Sequence, residues 1–223
     1  MATAMIADGR ALLRLMTWLS PAFPVGAFSY SHGLEWAVRS GEVTSSDHVF
    51  EWLADVIAQG SGWNDALLLA ASWRAAAADN QGDMAAIAEL AEAMSPSAER
   101  HMETMLLGEA FTRSASPWLD EPLAPAAFPV AIGIIAARNR IPLADTLVAF
   151  LHALTSNFVS AAIRLVPLGQ SDGLSAIARL EPSILDTAKR AADASLDDLG
   201  SACFAVDMAS LRHETLEPRL FRS

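Results

Sequence analysis

The chain has 223 residues and carries 26 carboxylates against 15 lysines and arginines, a formal net charge of −11. Binding to a phosphate backbone or an anionic bilayer needs clustered cations, so this balance argues against nucleic acid and membrane surfaces as partners. Apolar residues make up 52% and charged residues 18%; that is enough to bury a sizeable core in one domain, and little charge to cover a monomer, which points to surface buried against something else.

Lys189 is the only lysine, a bias that fits either bidentate arginine pairing at interfaces or a GC-rich genome. The single cysteine, Cys203, excludes an internal disulfide and fits a reducing compartment. Residues 1–10 lack the basic and apolar segments of an export signal. The apolar run Ala126–Ala137 is about half the ~20 residues that span a bilayer. A cytoplasmic protein is expected.

Leu12, Leu15, Met16 and Leu19 recur at helical spacing and predict a first amphipathic helix with these residues inward, ending before Pro21. A loop from Ser20 to Tyr30 follows, then a second helix from near Ser31 to Gly41. Ser46 and Asp47 start a third helix with Val49, Phe50, Leu53, Val56 and Ile57 on one face. A fourth covers Trp63 to Ala78, and a turn at 79–82 leads to a fifth from Asp83 to Met94. Ser95-Pro96 reads as the start of a sixth, running to about Ser114. After a proline-rich loop, a seventh carries Val130 and Ile134. The eighth begins at Pro142, with Leu143, Leu147, Phe150, Leu151, Leu154, Phe158, Ala162 and Leu165 on one stripe, and closes at Pro167 and Gly169. Ser171-Asp172 and Pro182-Ser183 each start another helix, and a last one runs from about Leu199 to Arg212. No segment alternates with period two. The expected fold is all-α: a single domain over 1–223, about ten helices packed around the long eighth one.

Motifs for chemistry are few. Lys189 lies outside any P-loop, and no histidine pair has metal-ligand spacing. Glu99 and Glu103 share a helix face that reads as solvated, and His152 reads as a hydrogen-bonded structural histidine. His213 beside Glu214 is the one pair worth watching for a metal. Cys203, placed inside an apolar helix, is expected to be inert. Ser29 and Ser31 lack the spacing of a nucleophile elbow. No catalysis, cofactor or resident metal is expected. Two segments stand out. The Ser20–Tyr30 loop, with Phe23, Phe28 and Tyr30 beside rigid prolines, is equally a preorganised contact surface or a helix connection with its aromatics in the core. The tail 213–223 places arginines around Leu220 and Phe221 and reads either as a docking element or as a frayed end.

These segments resemble the urease accessory protein UreF family. Leu19-Ser-Pro-Ala-Phe-Pro-Val-Gly-Ala-Phe-Ser-Tyr-Ser-His-Gly-Leu-Glu35 is similar to its opening motif, and Ser97, Glu99, Arg100 and Gly108 to its middle region. Phe128-Pro129-Val130 with Gly133, the stretch Ser160–Gln170, and the segment from His213-Glu214 to Ser223 also fit. The resemblance implies an all-helical homodimer that works with UreD (also called UreH), the GTPase UreG and the urease apoprotein in GTP-dependent nickel insertion. Regulation of UreG's hydrolysis and transient passage of nickel are the alternatives. It places partner contacts at Pro21, Pro24, Gly26, Phe28, Ser29, Tyr30 and Glu35. It does the same for Arg164, Pro167, Gly169 and Gln170, and for His213, Glu214, Arg219, Leu220, Phe221 and Arg222. Arg164 is expected to be buried, pairing with a carboxylate or with carbonyls of the turn at Pro167.

Overall fold

The computed structural model describes residues 9–223, and among them it forms only helices and connections. These are α1 (Gly9–Trp18), α2 (Leu34–Arg39), α3 (Ser46–Gln59), α4 (Ser61–Ala77), α5 (Gln81–Ala93), α6 (Ala98–Ser114), α7 (Phe128–Arg138), α8 (Leu143–Leu165), α9 (Gln170–Asp193) and α10 (Phe204–His213). Short 3₁₀ turns lie at Ala27–Ser29, Ser116–Trp118 and Leu196–Asp198.

Local chemistry explains most boundaries. Ser45, Asn80 and Ser97 accept from the backbone N–H of His48, Asp83 and Arg100 and so cap α3, α5 and α6. The start of α6 therefore falls beyond Ser95-Pro96, the expected site. Helix α2 is shorter than the expected Ser31–Gly41, because His32 (φ +53°) and Gly33 (φ +78°) adopt left-handed backbone that a helix cannot incorporate.

Residues 170–193 form one helix, where Pro182 was expected to open a second. Pro182 and Ala178, whose carbonyl loses its helical donor, both lie on the exposed face, so water can satisfy that oxygen. The inward stripe Ala176, Leu180, Ile184, Ala188 and Ala191 stays buried and holds the helix across the proline.

The core has α7 at its heart. Every residue from Pro129 to Ala136 is buried, as expected of a helix that is apolar all round. It lies against α4 at a distance only glycine permits: a Cβ on Gly133 would sit 2.2 Å from Ser72 Oγ and 2.4 Å from the Leu69 carbonyl oxygen. Helix α8 runs beside this pair and also touches α1, α2, α3 and α9, burying Leu147, Phe150, Leu151, Phe158 and Ala162 of its predicted stripe. By length and composition α8 could cross a membrane, with a mean hydropathy of 1.5, although the Ala126–Ala137 run was the expected maximum. Here it packs into the fold, with half of that window buried.

Helix α1 turns differently from expectation. Ala11, Leu15 and Trp18 face the core, whereas Leu12 and Met16 are 50% and 65% exposed. Trp18 anchors an aromatic cluster, meeting Phe111 and Trp118 edge-on at 6.2 and 5.8 Å. Phe23, Phe128 and Phe150 extend this cluster beneath the N-terminal loop.

Candidate partner-binding site

Three segments far apart in sequence meet above this aromatic cluster. The first is the loop after α1. Gly26 (φ +81°) turns the chain into the 3₁₀ turn Ala27–Ser29. Gly33 then lets the backbone pass so close to α10 that a Cβ would lie 2.5 Å from the Ser210 backbone nitrogen. This approach points Ser31, His32 and Glu35 inward, all of them buried.

The second segment is the first two turns of α6, which present Glu99, Arg100 and Glu103 to the interior; Glu103 is 2% exposed. A carboxylate so far from water needs partners. Arg100 Nη1 lies 3.0 Å from Glu103 Oε1, and His32 Nε2 lies 2.5 Å from the same oxygen. Ser223 Oγ donates to Oε2 at 2.7 Å. Burial pushes the Glu103 carboxyl up. The attraction of His32 and Arg100, with hydrogen bonds from His32 and Ser223, outweighs that and holds it at about 2. Burial and the neighbouring Arg100 push His32 below its ordinary value. His32 Nε2 also lies 3.0 Å from Arg100 Nη1, while Nδ1 is buried without a partner. Asp65 of α4 completes the group at 3.4 Å from Arg100 Nη2. Burial raises it to about 6, against the pull of Arg100.

The third segment is the tail. His213, at the end of α10, is fully buried with one carboxylate on each side. Its Nδ1 is 2.7 Å from Glu99 Oε2 and its Nε2 is 3.3 Å from Glu35 Oε2. Glu35 also accepts from the backbone N–H groups of Leu220 and Phe221, at 2.8 and 2.9 Å, and Arg219 pairs with Glu99. The tail is then tied to the loop: Arg222 N–H donates to the Ser29 carbonyl at 2.8 Å, and Ser31 N–H and Oγ donate to the Ser223 carbonyl at 2.7 and 2.5 Å. Loop, α6 and tail thus form one polar seam, in which Glu35 and Glu99 meet His213, Glu99 also meets Arg219, and Glu103 meets Arg100.

A family model for UreF matches residues 43–181. The chain is 53% identical to the urease accessory protein UreF of Rhodopseudomonas palustris strain BisA53, over 96% of this chain and 93% of that protein. It is 53% identical to that of Sinorhizobium medicae, over 97% and 98%, and 51% identical to that of Bradyrhizobium diazoefficiens, over 97% and 93%. The chain belongs to the UreF family. The model's span stops short of both the opening loop and the tail, whereas the full-length similarity takes in nearly all of the chain.

The UreF-like segments separate in space. Gly26, Phe28, Ser29, Tyr30, Glu35, Arg164, His213, Glu214 and residues 219–222 converge on the seam. Pro167, Gly169 and Gln170 lie at the turn into α9, exposed, where Gly169 N–H donates to Asp172 Oδ2 at 2.9 Å. Pro21 and Pro24 are exposed on the loop. Of the loop aromatics, Tyr30 is buried, Phe23 is half-buried against Phe111, and Phe28 is 64% exposed. The core reading holds for Tyr30 and Phe23, whereas Phe28 faces outward. Glu35, His213 and Phe221 are buried within the chain itself, while Leu220 is 76% exposed. Glu214 accepts from Ala98 N–H at 2.9 Å, adding a cap to α6.

Arg164 is exposed rather than buried. It donates to a carbonyl, but to that of Phe28 at 2.8 Å rather than to the turn at Pro167, and its guanidinium lies 4.4 Å from the Phe221 ring centroid. Glu99 and Glu103 occupy the seam instead of a solvated face. His152 is exposed rather than hydrogen-bonded in the core. Cys203 lies at the N-terminus of α10 rather than within it. Its thiol donates to the Asp55 carbonyl at 3.2 Å, and burial, then Asp55 and Asp207, raise it to about 11. Sequence reasoning missed Asp65, His32 and Glu103 as site residues. For α6 the available signal was the run Glu99-Arg100 with Glu103 one turn on, a charged stripe directly after a capping serine.

Proposed function

We propose that this chain acts as a non-catalytic scaffold in urease maturation. In this reading it works as a homodimer in the cytoplasm, with UreD and the GTPase UreG, to deliver nickel to the urease apoprotein. Nickel is then cargo and GTP belongs to the partner. The observation that carries the reading is the seam. Its buried side ties Glu35, Glu99 and Glu103 into internal ion pairs and hydrogen bonds that hold loop, α6 and tail together. Its outer side presents Phe28, Leu220, Arg219 and Arg222 on a rigid backing, the arrangement of a preorganised contact surface.

Deleting the tail is a poor test, because it strips partners from Glu35, Glu99 and Glu103 and destabilises the fold itself. Exposed positions separate binding from folding. Leu220→Asp and Phe28→Asp are expected to leave the melting temperature within about 2 °C, since exposed substitutions cost little, and to abolish co-purification with UreD and UreG. Retention of both partners by the double variant contradicts the proposal.

A further inference from the structure

We propose that the open groove between α1, α8 and α9 is a docking site for a basic amphipathic helix of another protein. The groove has a volume of about 750 Å³ and is walled by Leu12 and Met16 of α1, Val148 and Ala149 of α8, and Ile184 and Leu185 of α9. Leu12, Met16 and Leu185 are 50%, 65% and 57% exposed. Helix α1 carries more apolar residues than the core uses: Ala11, Leu15 and Trp18 are buried, and Leu12 and Met16 line this groove. An apolar groove receives an amphipathic helix through residues spaced three and four apart. Among the described residues its charged lining groups are Asp145 and Glu181, with no lysine or arginine; His152 is the other titratable group there.

The occupant follows from shape and sign. A second copy presenting the same face would set one concave acidic surface against another, leaving apolar side chains unfilled and like charges opposed, on a chain whose formal net charge is −11. A helix with apolar residues on one face and lysines or arginines flanking it fills the cleft and pairs with Asp145 and Glu181.

The test uses the full chain and no accessory protein, so its result is independent of the scaffold reading. A 14-residue helical peptide of leucine and lysine, and its leucine–glutamate counterpart, are titrated calorimetrically. The expected result is saturable 1:1 binding of the basic peptide alone, weakened at least tenfold by Ala149→Trp, which fills the cleft, and by Glu181→Lys. Should Ala149→Trp fail to fold, Leu185→Asp on the exposed rim serves in its place with the same expectation. Three results overturn the proposal: no saturable binding of the basic peptide, binding that the groove variants leave unchanged, or equal binding of the acidic peptide. Self-association in sedimentation that Leu185→Asp abolishes, with no competition from the basic peptide, also overturns it and assigns the groove to a second copy.

Discussion

Glu103 meets three side chains in the seam, those of Arg100, His32 and Ser223. Glu103→Gln leaves Arg100 buried without its main counter-charge, and breaking such a pair costs about 3–5 kcal/mol. Its carboxyl is held down to about 2 in the fold, against an ordinary 4.5. The stabilisation it provides is therefore present above pH 4.5 and is lost as pH falls towards 2. Denaturant unfolding at a series of pH values should show the deficit of Glu103→Gln in full at pH 7 and shrinking through that acidic window. A deficit independent of pH contradicts the assignment. Asp65 has the opposite sign: raised to about 6, it favours the fold at low pH, and that contribution is lost as pH rises through its value. His32, pushed down, favours the fold above its ordinary 6.5 and loses that contribution as pH falls below it. Gly33 tests the seam sterically. Gly33→Ala combines left-handed backbone with a Cβ 2.5 Å from the Ser210 nitrogen, and an expected loss of about 2–4 kcal/mol would appear in equilibrium unfolding. The charged stripe of α6 was visible locally, but the partners it meets were not. Apart from Arg100, three positions before Glu103, the side-chain and tail partners of Glu35, Glu99 and Glu103 lie 71 to 186 positions away, and helical periodicity reports only which residues share a face.

At the scale of elements, the sequence pattern located helices well and their orientation less well. The stripe on α8 was legible because it repeats over its whole length against a continuous core. That on α1 was not, because the helix is short and apolar on more than one face, so periodicity could not choose which face the core takes. Pro182 misled for a related reason: a proline signals a break only where its lost hydrogen bond is not compensated, and on α9 it faces water while the opposite stripe stays packed. Removing it should help. Pro182→Ala is expected to raise stability by about 1–3 kcal/mol, as proline is disfavoured in helix interiors, and thermal unfolding would register it; no gain would indicate that the backbone bends to suit the ring. The tail is the reverse case, an irregular segment held by buried anchors. Phe221 is 3% exposed beneath Arg164. Phe221→Ala should cost about 3 kcal/mol and accelerate hydrogen exchange at the Leu220 and Arg222 amides before global unfolding.

For the molecule as a whole, the all-helical class followed from periodicity and from the absence of alternating segments. The UreF resemblance indicated which segments matter. What neither supplied was their convergence: the opening loop and the tail, at opposite ends of the sequence, close over the charged turns of α6 and form a single surface. That convergence unites two sequence features, a proline-aromatic loop and an arginine-flanked tail, in one rigid platform with Phe28 and Leu220 outward. The proposed role rests on this platform being where partners dock. Hydrogen–deuterium exchange of the full chain with and without UreD tests it most directly. The account predicts slowed exchange concentrated in residues 20–30 and 213–223, with α3 and α5 unchanged. Protection that leaves both of those segments untouched and falls on α3 or α5 would contradict it.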